Sequence, residues 1–330
     1  MPTPGDPPPR PSRLERPLRS ARRSIDLWEP VAKPEGPTDW FDASAGMPPF
    51  DPGLADFSPA NAWWLASLCR LAYTPDEKES RRPWHRDKPP RLEFLEGRTP
   101  FRESLNVHKT GNHAAIYQLA DGPGAVVCFR GTNKLRQWIM NLTALPVPWR
   151  GDDRGVLVHQ GFRLLFNRVW SLIEPCLIGI DGPVVLTGHS LGAAFATLAA
   201  AALPEPPAAL VTFGSPRVGN AAFVDRLAQR AFPHHRVVNQ HDIVTQLPQR
   251  EPRLGGRDYR HGARPIILGK EPGSIFFGEV PDDHLDPLWR PDQPLSWFAQ
   301  TLGGPEPPEG VLAHLPTAYE AKLLALARGI

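Results

Sequence analysis

The chain has 330 residues, 37 Lys and Arg against 35 Asp and Glu, a formal charge of +2, and 41% hydrophobic residues. Near-neutral charge argues against a nucleic-acid-binding body, and the apolar share is enough for a substantial core. No stretch approaches the roughly 18 apolar residues of a membrane span, and the first 30 residues lack the apolar run of a secretory signal.

The expected location is therefore the cytoplasm, with secretion by a non-Sec route as the alternative. Arg22 and Arg23 are followed by "SIDLWEP" rather than an apolar stretch, which argues against twin-arginine export. Cys69, Cys128 and Cys176 are far apart and lie in apolar surroundings such as "AVVCFRG". They read as buried core thiols, not as a disulfide framework or a zinc site.

From the N-terminus, 14 of the 41 prolines fall within the first 60 residues, and "MPTPGDPPPRP" can build neither helix nor sheet. Residues 1–55 are expected to form a proline- and arginine-rich disordered arm, with residues 56–330 as one folded domain. The arm carries six arginines between Arg10 and Arg23 against Glu15 alone. That pattern reads first as a solvated tail and second as a contact for an anionic surface.

Ser58 and Pro59 open a helix in "SPANAWWLASLCRLAY", with Trp64, Leu65, Leu68, Leu71 and Ala72 on one face. Strands are expected at "RLEFL", "HAAIYQLA" and "AVVCFRG". Next come the helix "FRLLFNRVWSLIEPCL", the strand "GPVVLTG", the helix "LGAAFATLAAAAL" and the strand "ALVTFGS". The helix "NAAFVDRLAQR" and the strand "HRVVNQ" complete the alternation. Strands that are apolar throughout, alternating with helices, predict an α/β fold whose mostly parallel central sheet is flanked by helices on both faces.

Within this pattern, "TGHSLGAA" sets Ser190 on a strand–turn–helix junction between Gly188 and Gly192. G-x-S-x-G is weak alone, but the junction is what an exposed nucleophilic serine requires, because small neighbours let strand and helix approach closely. A serine needs a histidine base and a carboxylate to orient it, in the chain order Ser, Asp or Glu, His for this architecture. Asp242 in "NQHDIVTQLP" stands just past a predicted strand end and is the candidate acid. Asp225 lies within a helix and reads as solvated. Downstream, His261, His284 and His314 remain open as the base; His261, beside Gly262, reads most simply as a surface residue.

"VVCFRGTNKLRQWIMNL", "VHQGF", "GHSLGAA", "TFGSPRVGN" and "NQHDIVTQLP" occur in the order found in the class three, or fungal-type, lipases of the α/β-hydrolase fold, and the chain resembles that family over about residues 58–330. The resemblance selects His314, since "HLPTAY" keeps a short spacer and Tyr319 ahead of a last helix. Ala313 departs from the aspartate of many relatives, and His284 in "PDDHLDPLW" is the alternate base. It also implies an oxyanion hole made by the backbone N–H groups of Leu191 and Thr132, with the Thr132 hydroxyl as a further donor. Leu135, Trp138, Ile139 and Leu142 recur at helical spacing as one apolar face. By resemblance that segment is a lid; otherwise it packs permanently on the core. His159 in "VHQGF" precedes the serine and reads as structural.

These readings imply a serine ester hydrolase, similar to triacylglycerol lipases, with no metal or organic cofactor and no nucleic-acid partner. Its substrate would be a lipid or other ester, with contact at a lipid surface. A phospholipase or secreted acyl-hydrolase effector is the alternative. A non-catalytic lipid-binding or interaction protein on the same fold is the rival from another class.

Overall fold

The computed structural model describes residues 41, 44–53, 55–74, 95, 97–109, 112–132, 145–151, 155–248, 250–251, 257–278 and 309–330. Its centre is an eight-stranded sheet: β1 (Phe101–Lys109), β2 (Asn112–Leu119), β3 (Ala125–Phe129), β4 (Val184–His189), β5 (Ala209–Phe213), β6 (His234–Asn239), β7 (Pro265–Leu268) and β8 (Ile275–Phe277). The strands lie side by side in chain order. β3 to β7 run parallel; β1, β2 and β8 are antiparallel to their neighbours.

Alternation of side chains explains why β3 is apolar at every position. Ala125, Val127 and Phe129 enter one core with Phe166, Phe195 and Leu198, while Val126 and Cys128 enter a second with Leu65, Leu68 and Leu323. A strand covered on both sides has no solvated face to mark with polar residues. The first core lies beneath helices α2 (Gln160–Leu177) and α3 (Leu191–Ala202), and the second beneath α1 (Pro59–Leu71) and α5 (Pro316–Arg328). Between β5 and β6 runs α4 (Ala221–Ala228).

Local chemistry sets the helix ends. Ser58 accepts from the Asn61 N–H ahead of α1, and Asn220 accepts from the Phe223 N–H ahead of α4. At α2 the cap is His159, whose Nδ1 accepts from the Phe162 N–H at 3.3 Å. That histidine is buried and serves the helix. α5 ends on Gly329 in the left-handed conformation (φ +70°), which glycine adopts without strain.

The two outer helices are joined by a buried ion pair. Arg70 of α1 meets Glu320 of α5, and the Ser67 hydroxyl donates to the same carboxylate at 2.7 Å. The pair fixes α5, and with it the chain just upstream that carries His314, against the rest of the fold.

Several expectations change. β1, β7 and β8 are strands that the sequence pattern did not indicate. Of "RLEFL" only Leu95 is described, and it lies in a turn. Cys176 is exposed on the outer face of α2, so only Cys69 and Cys128 are core thiols. Packing also reaches back across the expected boundary at residue 55. Phe41 stacks on Trp64 with ring centroids 6.2 Å apart, and Phe50 packs on Phe101 at 5.2 Å.

Candidate active site

β4 ends at His189 and α3 begins at Leu191, so the chain reverses through Ser190 alone. Its backbone sits at φ +60°, ψ −127°, a conformation that costs a non-glycine residue about 1–3 kcal/mol. The turn is pinned by the Ser190 N–H donating to the Phe213 carbonyl at 3.0 Å and the Ser190 carbonyl accepting from the Ala193 N–H at 3.0 Å. Flanking glycines make the approach possible. A Cβ on Gly188 would lie 2.3 Å from the Gly192 carbonyl oxygen, and one on Gly192 would lie 1.9 Å from that of Phe129. Strain concentrated at one serine, with both neighbours stripped of side chains, is what presents a hydroxyl at a sheet end.

Asp242 follows β6 and opens a short 3-10 turn, Ile243–Gln246. It is fully buried, yet its carboxylate is well supplied with donors. Oδ1 accepts from the Val244 N–H at 2.9 Å, and the His314 Nδ1 lies 2.9 Å from Oδ1 and 2.8 Å from Oδ2. Tyr319 donates its hydroxyl to Oδ2 at 2.5 Å and accepts from the Asn239 N–H at 2.9 Å. The Asn239 amide in turn donates to the Ala313 carbonyl at 2.8 Å. Three donors satisfy a buried charge that would otherwise be prohibitive.

Because the carboxylate accepts the Nδ1–H of His314, Nε2 is the nitrogen left as acceptor. His314 Nε2 and Ser190 Oγ are both buried and both lack a hydrogen-bond partner. Gly214 explains how close this arrangement sits to the sheet. A Cβ there would lie 2.7 Å from Asp242 Oδ2 and 2.9 Å from His314 Nδ1, and its φ is +58°. The end of β5 must therefore be bare.

Thr132 and Leu191 approach Ser190 from two sides. At Gly131, a Cβ would lie 3.0 Å from Ser190 Cβ and 2.8 Å from the His189 carbonyl oxygen, so the backbone leading to Thr132 lies against the serine. Leu191 is the first residue of α3, where backbone N–H groups have no acceptor within the helix.

Two participants were not recognised from sequence. His189, the second residue of the G-H-S-L-G stretch, donates from Nε2 to the His314 carbonyl at 2.7 Å, and its Nδ1 accepts from the Tyr73 hydroxyl at 3.0 Å. Its ring lies 4.6 Å from that of His314. Burial first, then the charge of His314, holds its pKa well below the ordinary imidazole range, so it is neutral. Burial likewise pushes up the hydroxyls of Tyr73 and Tyr319, the latter also through Asp242, which keeps both as donors. The signal for His189 was its place inside the motif; Tyr73 carried none.

The proposed lid residues Leu135, Trp138, Ile139 and Leu142, and the alternate base His284, lie outside the described residues. His261 is half-buried rather than superficial, and its Nε2 donates to the Thr245 carbonyl at 2.8 Å. Among the described residues, no cluster of three or more His, Cys, Asp or Glu could hold a metal ion.

Residues 126–251, which include Thr132, Ser190 and Asp242, match the class 3 lipase family. The lipase of Rhizomucor miehei is 34% identical over 134 residues, covering 37% of each chain. The chloroplastic phospholipase A(1) DAD1 of Arabidopsis thaliana is 36% identical over 148 residues, covering 37% of this chain and 33% of that protein. Thus the chain spans only about a third of the length of these curated relatives. A solved triacylglycerol lipase, described as having a serine protease triad as its catalytic centre, superimposes with a TM-score of 0.51 at 24% identity. The match covers 66% of this chain and 82% of that one, a likeness of fold. The chain therefore has the α/β-hydrolase architecture, with its mostly parallel sheet supporting Ser190, Asp242 and His314.

Proposed function

We propose that the protein is a serine ester hydrolase acting on lipid esters, with Ser190 as nucleophile, His314 as base and Asp242 as the orienting carboxylate. The observation that carries this reading is the buried Asp242–His314 pair, whose Nδ1 contacts of 2.8 and 2.9 Å leave Nε2 as the only basic nitrogen of that ring.

In the reaction, His314 Nε2 takes the Ser190 proton as Oγ adds to the ester carbonyl. The tetrahedral oxyanion is held by the N–H groups of Leu191 and Thr132, donors worth about 100- to 1,000-fold each in rate. His314 then returns the proton to the leaving alcohol, and an acyl-enzyme remains. Water attacks it by the same route in reverse and releases the acid. The imidazolium formed midway is stabilised by the Asp242 carboxylate, which accepts its Nδ1–H.

Acylglycerols are the first substrate class and phospholipids the second, the latter supported by the phospholipase A(1) relative. Approach to a lipid surface is supported by exposed apolar residues. Leu312, two residues before His314, is 45% exposed, and Leu145 is 56% exposed. Both are available for an interface to cover.

Hydrolysis of p-nitrophenyl esters from acetate to palmitate, with and without dispersed lipid, tests the proposal. Activity rising with chain length and falling on the order of 10⁴-fold or more in Ser190→Ala supports it. An inert wild-type protein in the presence of lipid contradicts it.

A further inference from the structure

Beside His314 the fold places a second imidazole that the reaction itself does not use. His189 ends β4, is 1% exposed, and its ring lies 4.6 Å from that of His314. Its Nε2 meets the His314 carbonyl oxygen at 2.7 Å. A carbonyl only accepts, so Nε2 carries the proton, and in the neutral ring Nδ1 is then a bare lone pair. The Tyr73 hydroxyl, 3.0 Å from Nδ1, is the donor that this lone pair requires.

Tyr73 is itself held in place. It follows directly on α1, is 4% exposed, and its N–H donates to the Arg70 carbonyl at 3.0 Å, beside the buried Arg70–Glu320 pair. Its hydroxyl lies against Gly131, where a Cβ would come within 2.0 Å of it, and the Gly131 backbone hydrogen-bonds to the same oxygen. One hydroxyl thus touches both the loop that delivers Thr132 and the ring that holds His314. On the other side, the Asn239 amide donates to the Ala313 carbonyl at 2.8 Å. Two consecutive carbonyls, those of residues 313 and 314, are therefore each held by a buried side-chain donor.

We propose that Tyr73 and His189 are positioning residues for ester hydrolysis: the Tyr73 hydroxyl fixes the tautomer of His189, and His189 fixes the main chain that carries the base. The inference rests on Ser190 and His314 being the reacting pair. The other neutral tautomer of His189 would turn the Nε2 lone pair onto the His314 carbonyl, and repulsion would release it. A protonated ring would keep that bond but set a second cation beside the imidazolium that His314 becomes during the reaction. Donation from Tyr73 to Nδ1 opposes both states. A bond that merely satisfied two buried polar groups would affect stability and leave turnover per folded molecule unchanged.

The test is ester kinetics, with thermal midpoints, on the full chain carrying Tyr73→Phe, His189→Gln, His189→Met and the double replacement of Tyr73→Phe with His189→Gln. Tyr73→Phe keeps the ring and hence the packing. Its kcat should fall about tenfold with KM little changed, because neither residue touches substrate. At His189, Gln retains a neutral N–H donor and Met does not. Gln should therefore recover most of the kcat, about 100-fold, that Met loses. Gln has no tautomer to select, so adding Tyr73→Phe to His189→Gln should cost about twofold or less. A wild-type kcat in Tyr73→Phe overturns the inference while leaving the triad intact, and so do equal losses in the Gln and Met variants. A full tenfold further loss in the double variant overturns the route through His189. A wild-type chain that neither hydrolyses esters nor takes a fluorophosphonate on Ser190 overturns this inference together with the reading it rests on.

Discussion

Tyr319 donates its hydroxyl to Asp242 across 2.5 Å, and does so from the same C-terminal stretch that supplies His314. One turn of α5 thus supports the acid that orients the base. Tyr319→Phe removes this donor and also strips the acceptor from the Asn239 N–H. The variant should lose about 1–3 kcal/mol of stability, and kcat should fall roughly tenfold with KM little changed, because the substrate does not touch the hydroxyl. Thermal unfolding and ester kinetics measured together check this; an unchanged kcat would remove Tyr319 from the account.

Gly214→Ala places a methyl group 2.7 Å from Asp242 Oδ2 and 2.9 Å from the His314 ring, at a backbone φ of +58°. Neither neighbour is the loose end of a flexible side chain. The expected outcome is displacement of the pair, with kcat reduced about 100-fold and stability lowered by about 1–3 kcal/mol. Wild-type turnover in this variant would mean that the pair tolerates movement.

The buried Arg70–Glu320 pair should show strong non-additivity. Removing Glu320 alone leaves a guanidinium that is almost fully buried, which costs about 3–5 kcal/mol, whereas the double replacement Arg70→Met with Glu320→Leu should recover most of that loss. Denaturant unfolding of the two single variants and the double variant tests this, and additive losses would contradict it.

How much of this was legible depended on range along the chain. Ser190, with Gly188 and Gly192, is a local pattern, and Asp242 follows directly on a strand end; sequence spacing alone indicates both. β1 was missed because its register shifts between Glu103 and Leu105, so Phe101 and Val107 serve opposite cores although their spacing implies one face. β7 and β8 have four and three residues, too few for a period to emerge. The roles of Gly214, Tyr73 and His189 exist only through partners far away in the chain. The Tyr73–His189 bond, for example, joins residues 116 positions apart.

Stability should depend on pH through buried imidazoles. Burial holds His189 below its ordinary value of 6.5 and lowers His234 to about 3. The unfolded chain therefore binds these protons at higher pH than the folded one. The stabilisation is complete above about pH 6.5 and is lost as pH falls below that value, down to about 3 for His234. Thermal midpoints should drop between pH 7 and pH 4, and less steeply in His234→Gln. A midpoint that rises on acidification would reverse the assigned sign.

The central claim is that Ser190 is a nucleophile activated by His314, and intact-mass measurement after treatment with a fluorophosphonate tests it directly. One adduct per chain is expected, on the peptide containing Ser190. It should be absent in Ser190→Ala and slowed on the order of 1,000-fold or more in His314→Ala. Labelling that persists in Ser190→Ala, or proceeds at the wild-type rate in His314→Ala, would contradict it.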